Sequence, residues 1–245
     1  MEYSDGVSAT QTNATAKVLI SFFLPFLSLG ITASAQQTIF SIPSSDVLDR
    51  GKVSVEFAAA FKLNNEDALR KFSSFVPRVI VGLGHDVEIG LSVLGNVQPG
   101  PDATTIASGI KWKFYEKKDL SLFLGTNFYI PLRHRAYTAG STSYVGLSKS
   151  IGKCRFTGGG VISTRSVFAP HAIRGGGLFG FEYTVNKKIG FAADWINGRH
   201  AFGFFTSGLT YKPHPKVSTN WAYAIGNRNV VRGNHYFIAE MAYYF

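Results

Sequence analysis

A single cysteine, Cys154, stands in 245 residues, so the chain can build neither an internal disulfide nor a cysteine-based zinc site. Cys154 reads as an ordinary packing residue. Charge is also scarce: Asp, Glu, Lys and Arg together make up 16% of the sequence, which is unusual for a water-soluble enzyme of this size. The charge present leans positive, with 25 Lys plus Arg against 15 Asp plus Glu, yet no nucleic-acid recognition module accompanies it. No apolar run reaches the roughly 20 residues that a membrane-crossing helix needs. The six histidines form no His-x-x-x-His pair, and no Gly-x-Ser-x-Gly elbow occurs. Gly158-Gly159-Gly160 and Gly175-Gly176-Gly177 are followed by no Gly-Lys-Ser/Thr, so they are read as strand glycines rather than phosphate loops. What the sequence has in quantity is 26 Gly and 14% aromatic residues, 21 of them Phe.

The amino-terminal part supplies an address. Residues 18–32 form one apolar run after Lys17, interrupted by Pro25 and Gly30, and Ala33-Ser34-Ala35 follows as a small-residue cleavage pattern. This predicts a cleaved secretory signal over 1–35. With that leader removed, nothing remains that could cross a membrane as a helix, so a membrane form of the mature chain has to be a closed barrel.

From residue 52 onward the pattern has period two. Val87, Ile89, Leu91 and Val93 share one face of an extended segment, while Glu88, Gly90 and Ser92 share the other. The same split recurs in Val53 to Phe61, Leu120 to Phe128, Ile189 to Trp195, Val217 to Ile225 and Phe237 to Phe245. Strands are predicted at 52–62, 75–84, 86–95, 104–115, 119–130, 142–151, 153–163, 173–185, 188–197, 201–212, 216–226 and 235–245. Connections alternate between tight turns, such as Gly84-His85-Asp86 and Glu116-Lys117-Lys118, and mostly longer loops. An all-β, twelve-stranded antiparallel transmembrane barrel over 52–245 is predicted, preceded by a lead-in at 36–51 that is expected to be periplasmic or an inner strap.

Taken with its terminal Met241-Ala242-Tyr243-Tyr244-Phe245, the block 52–245 resembles the bacterial outer-membrane β-barrel proteins of the small porin-like group. The resemblance implies a Gram-negative outer-membrane location with both termini in the periplasm. It also implies that the barrel assembly machinery reads Met241, Tyr243 and Phe245.

If the apolar face meets lipid, the lumen is lined by Glu56, Arg78, Glu88, Lys111, Lys113, Arg155, Glu182, Asp194 and Glu240. Two readings of these charges stand side by side, a self-neutralising network in a closed interior and a water-filled selective path. Inward glycines at 82, 90, 125, 146, 180, 190 and 208 leave room, whereas inward Phe123 and Tyr244 fill it. Arg133, Arg135, Arg165, Arg174, Arg199, Arg228 and Arg232 fall in or beside four long loops free of Asp and Glu, an extracellular basic rim. Guanidinium forks there suit either anionic solutes or the phosphates of lipopolysaccharide.

The expected function is passive passage of small hydrophilic or anionic solutes, with no cofactor, no metal and no nucleic acid. The alternative is a closed structural or surface-interaction barrel that binds lipopolysaccharide or an external partner. A rim hydrolase, with Ser163 or Ser166 meeting His171 or His200, is the weaker third, and an enzyme is not expected.

Overall fold

The computed structural model describes residues 36–61, 73–94, 104–132, 139–164, 174–198, 202–228 and 235–245. The expected signal segment 1–35 lies outside them. Twelve strands follow one another: β1 Val53–Phe61, β2 Ser73–Gly84, β3 Val87–Leu94, β4 Thr105–Lys117, β5 Leu120–Pro131 and β6 Gly140–Ile151, then β7 Cys154–Ser163, β8 Gly175–Thr184, β9 Ile189–Ile196, β10 Phe204–His214, β11 Val217–Gly226 and β12 His235–Tyr244. Each pairs antiparallel with its neighbours in sequence, and β1 pairs with β12 to close the barrel. Closure leaves no unpaired edge, the condition for a sheet in hydrocarbon.

The tight turns follow from their residues. His85 and Asp86 both have positive φ, at 52° and 57°, and so do Lys118 and Asp119, at 46° and 63°. Two successive residues in this region make the type I′ turn, whose twist matches that of the strands it joins. The turn expected at Glu116-Lys117-Lys118 is therefore Lys118-Asp119. A bulge between Lys113 and Tyr115 shifts the register and carries β4 on to Lys117. A second bulge, between Tyr211 and His214, carries β10 past the expected end at residue 212.

The outer wall is greasy along its height. Leu91, Phe128, Leu209 and Trp221 are each about half exposed, a wasteful arrangement in water and the required one in lipid. Cross-strand aromatic pairs reinforce it: the Phe179 and Trp195 rings stack with centroids 5.7 Å apart, and Phe156 and Phe181 lie at 5.3 Å. Lys149, the outward lysine in the expected apolar row of β6, sits near a short turn and donates from Nζ to the Lys118 carbonyl at 2.7 Å. The buried apolar cluster lies on the other side of the sheet. Ile39, Phe40 and Ile42 pack there with Phe123, Tyr144, Leu178, Ala192, Ile196 and Ala222, so the barrel has its core where a wide porin has water.

This arrangement makes a directional prediction for the wall. Leu209→Arg, on the lipid face near mid-strand, is expected to destabilise the folded barrel by about 2–4 kcal/mol, read from urea unfolding in phospholipid vesicles. An unchanged midpoint would mean that this face does not meet hydrocarbon.

Candidate channel lumen

Residues 36–49 run inside the barrel. The segment doubles back on itself: Thr38 bridges Pro43 in antiparallel fashion, the Ile39 N–H donates to the Ile42 carbonyl at 2.9 Å, and the Ser44 N–H donates to the Gln37 carbonyl at 3.1 Å. This leaves the N–H groups of Phe40, Ser41 and Ile42 without partners in the strap itself. All three converge on Oδ2 of Asp194, at 2.9, 2.6 and 3.1 Å. Convergent backbone N–H groups on an oxyanion form an anion nest, and a carboxylate accepting them gains charge-assisted hydrogen bonds. Ser41 Oγ reaches Thr206 Oγ1 at 3.1 Å beside it.

The middle of the strap is held by a buried ion pair. Glu88 and Lys111 face each other across β3 and β4, with Lys111 Nζ 2.9 Å from Glu88 Oε1 and both side chains fully buried. The pair is saturated by strap backbone. Glu88 accepts the N–H groups of Gln37 and Leu48 at 3.0 and 3.1 Å, and Lys111 donates to the carbonyls of Gln37 and Ser44 at 3.2 and 3.1 Å. Desolvating two charges is costly, and these four bonds are what makes the burial tolerable. Gln36 is buried as well. It receives the Tyr144 hydroxyl at Oε1 and donates from Nε2 to the Thr126 carbonyl at 3.2 Å.

At the base, Arg155 forks onto Asp46 at 2.6 and 2.7 Å while its Nε and Nη2 reach the Glu182 carboxylate, both at 2.6 Å. Enclosure works to raise the Asp46 carboxyl, but the Arg155 hydrogen bonds and charge outweigh it and hold the group below its ordinary value. This anchor is therefore present at neutral pH and is lost only when acidification passes the depressed Asp46 value.

The wall is cut to fit. A Cβ added at Gly82 would strike the carbonyl oxygens of Leu48 and Asp49, and one at Gly180 would come within 2.6 Å of Ile39 Cδ1 and 2.8 Å of Ile42 Cδ1. At Gly109 it would strike Oδ1 of the Asn127 side chain in the wall and meet the Gln36 amide, with Nε2 at 2.6 Å. Glycine at these inward positions is space for the strap. Gly146 and Gly125 play the same part for the rings of Phe123 and Tyr144.

The nine residues expected in the lumen thus take up distinct positions. Glu56 and Arg78 pair across β1 and β2 at 2.7 Å, Glu88 and Lys111 hold the strap, and Arg155 bridges Glu182 and Asp46. Asp194 caps the strap tip, and Glu240 accepts from Asn220 at 3.0 Å. Lys113 sits apart, near the end of its strand, where it pairs with Asp86 at 3.3 Å and with Glu116. Of the basic rim, Arg174 and Arg228 are exposed at loop ends, while Arg133, Arg135, Arg165, Arg199 and Arg232 lie outside the described residues. Ser163 faces inward and bonds Thr142 Oγ1 at 2.7 Å; Ser166, His171 and His200 lie outside the described residues. Met241, Tyr243 and Phe245 all point outward from the closing strand.

Space remains on both sides of the strap. A cavity of about 600 Å³ opens at the short-turn end, lined by Asp46, Arg155, Glu182, Lys212 and Tyr244. It overlaps a deeper one of about 160 Å³ that reaches Glu56, Arg78 and Glu240. Toward the long loops the described residues Ser41, Asn127, Tyr129 and Tyr144 line a cavity of about 50 Å³.

No family model matches the sequence, and no curated protein matches it. Solved structures do. The barrel superimposes on the KdgM porin, crystallised in complex with disordered oligogalacturonate, with a TM-score of 0.56 at 10% identity over 78% of this chain and 99% of that one. The chain has the fold of the outer-membrane porins. The NanC porin gives a TM-score of 0.51 at 10% identity over 77% of this chain and 98% of that one. The COG4313 outer-membrane channel of Pseudomonas putida F1 gives 0.50 at 9% identity, over 82% of this chain and 98% of that one.

Removing one member of the buried pair tests its role. Glu88→Gln is expected to cost about 3–5 kcal/mol by stranding Lys111, whereas Glu88→Gln with Lys111→Met recovers most of the loss. Denaturant unfolding of both variants in detergent micelles measures the difference.

Proposed function

We propose that this barrel sits in the outer membrane with both termini on the periplasmic side and passes small hydrophilic solutes passively through its lumen. The observation that carries the reading is a largely polar inner face with water-sized space on both sides of the strap. The fold it shares with the KdgM and NanC porins agrees with it. Attraction of anions, where it occurs, is the work of the loop arginines. Among the described residues of the lumen, Asp46, Glu56, Glu88, Glu182, Asp194 and Glu240 outnumber Arg78, Lys111, Arg155 and Lys212. A wall with that balance does not by itself concentrate anions.

The filled middle of the lumen favours a second reading, a closed barrel whose exposed arginines hold lipopolysaccharide phosphates. Planar-bilayer recordings separate the two. The channel reading expects discrete conductance steps from the refolded chain beginning at Gln36, and several-fold larger or more frequent steps when residues 36–49 are deleted. Silence from both proteins, each folded and heat-modifiable on gels, would favour the closed barrel.

A further inference from the structure

We infer that residues 36–49 are a hinged strap that closes the pore, with Asp194 as its latch. The inference rests on the channel reading and adds to it the device that controls the path. Three features of the geometry point to a moving part rather than a permanent filler.

First, the polar grip on the strap is made mostly through its backbone. Asp194, Glu88 and Lys111 hold main-chain N–H and C=O groups, which water can hydrate equally well once the strap leaves. Release therefore strands no strap backbone group in a dry interior. Second, the strap has somewhere to go. Among the described residues its tip faces a space of about 50 Å³, whereas the cavity of about 600 Å³ lies on the side from which the strap enters. Third, the strap joins β1 through a turn suited to bending. Gly51 has φ of +76°, a Cβ there would meet nothing, and the backbone ties at this corner are Gly51 N–H to the Gly82 carbonyl at 2.9 Å, Lys52 N–H to the Asp49 carbonyl at 3.0 Å and, on the β1 side of the bend, Gly82 N–H to the Lys52 carbonyl at 3.0 Å. Hinges of this kind are a few terminal positions that absorb the change in φ and ψ.

The closed state is the resting one because Ile39, Phe40 and Ile42 are buried against Leu178, Ala192 and Ile196. Asp194 adds orientation to that apolar contact. Its single oxygen collects three successive N–H groups at the tip, so one side chain fixes the whole turn across the bore. Loss of the carboxylate leaves the apolar contact in place but removes its alignment, and the strap spends more of its time withdrawn.

Two variants test this, both in a Cys154→Ser background so that no native thiol remains. Ser41→Cys reports strap position through its rate of labelling by a membrane-impermeant maleimide in proteoliposomes. Adding Asp194→Ala is expected to raise that rate about tenfold or more, the effect of losing charge-assisted hydrogen bonds. In the second variant Ser41→Cys is combined with Thr206→Cys, whose hydroxyl oxygens lie 3.1 Å apart in the native protein. Oxidised, this protein is expected to be silent in planar bilayers, and reduction is expected to restore the steps of the single variant. Heat-modifiable migration on gels verifies that each variant is folded. An unchanged labelling rate in Asp194→Ala overturns the latch. Equal conductance before and after reduction overturns the gate while leaving the channel intact. Silence from every variant, with labelling still accelerated, overturns the channel reading and the gate together.

Discussion

Hydrocarbon offers a backbone N–H or C=O no partner, and that one constraint organises the molecule. It forces the twelve strands to close on themselves through the β1 and β12 pairing, and it fixes which side of every strand is apolar. Closure then creates an interior that lipid cannot reach, so polar groups, charges and a folded-back segment can be housed there. The lumen inherits the problem that the wall has solved. A backbone segment inside a narrow barrel also needs partners, and here Glu88, Lys111 and Asp194 provide them.

These inward charges are therefore read differently from charges lining an open pore. Three cross-strand pairs, Glu56 with Arg78, Glu88 with Lys111 and Arg155 with Glu182, stand directly opposite one another in the ladders. In a water-filled bore such pairs would be weak and screened. In this bore the two outer pairs flank the strap and the middle one is buried beneath it, its remaining hydrogen-bonding capacity directed at peptide groups. A self-neutralising network and the proposed channel are then compatible: the network belongs to the strap as seated, and the proposed path opens when the strap is withdrawn.

Most of the wall was legible in the sequence, because period-two alternation survives wherever one face meets lipid. All twelve strands fall within a few residues of their expected bounds. The two strands that overrun their expected short-turn ends, β4 and β10, do so where alternation is broken by a bulge, at Lys113/Tyr115 and at Tyr211/His214, since one extra residue moves side chains to the other face and hides the true end of the strand. The interior was legible residue by residue but not as an assembly. Glu88, Lys111 and Asp194 stood out as inward charges, while their ligand, the backbone of residues 36–49, carries no periodic signal. The inward glycines were the available clue. Gly82 and Gly180 mark where the strap lies, but without the register they read only as unfilled space.

The seated strap also explains the apolar part of the inner lining. A lumen filled only with water must hydrate its whole surface, yet Val76, Ile80, Phe123 and Leu178 turn inward and are buried. Ile39, Phe40 and Ile42 give Phe123 and Leu178 apolar neighbours, and on the opposite wall Val76 packs with Leu94 and Ala107. The inner face is thus divided: apolar side chains lie around the strap tip and along one side of the wall, and the charged cluster of Asp46, Arg155, Glu182 and Lys212 lies at the open mouth. Water reaches the second region and is excluded from the first. A solute entering from the short-turn end would meet a hydrated, charged vestibule and then the turn held by Asp194, so among the described residues the segment joined to β1 through Gly51 is what stands across the bore.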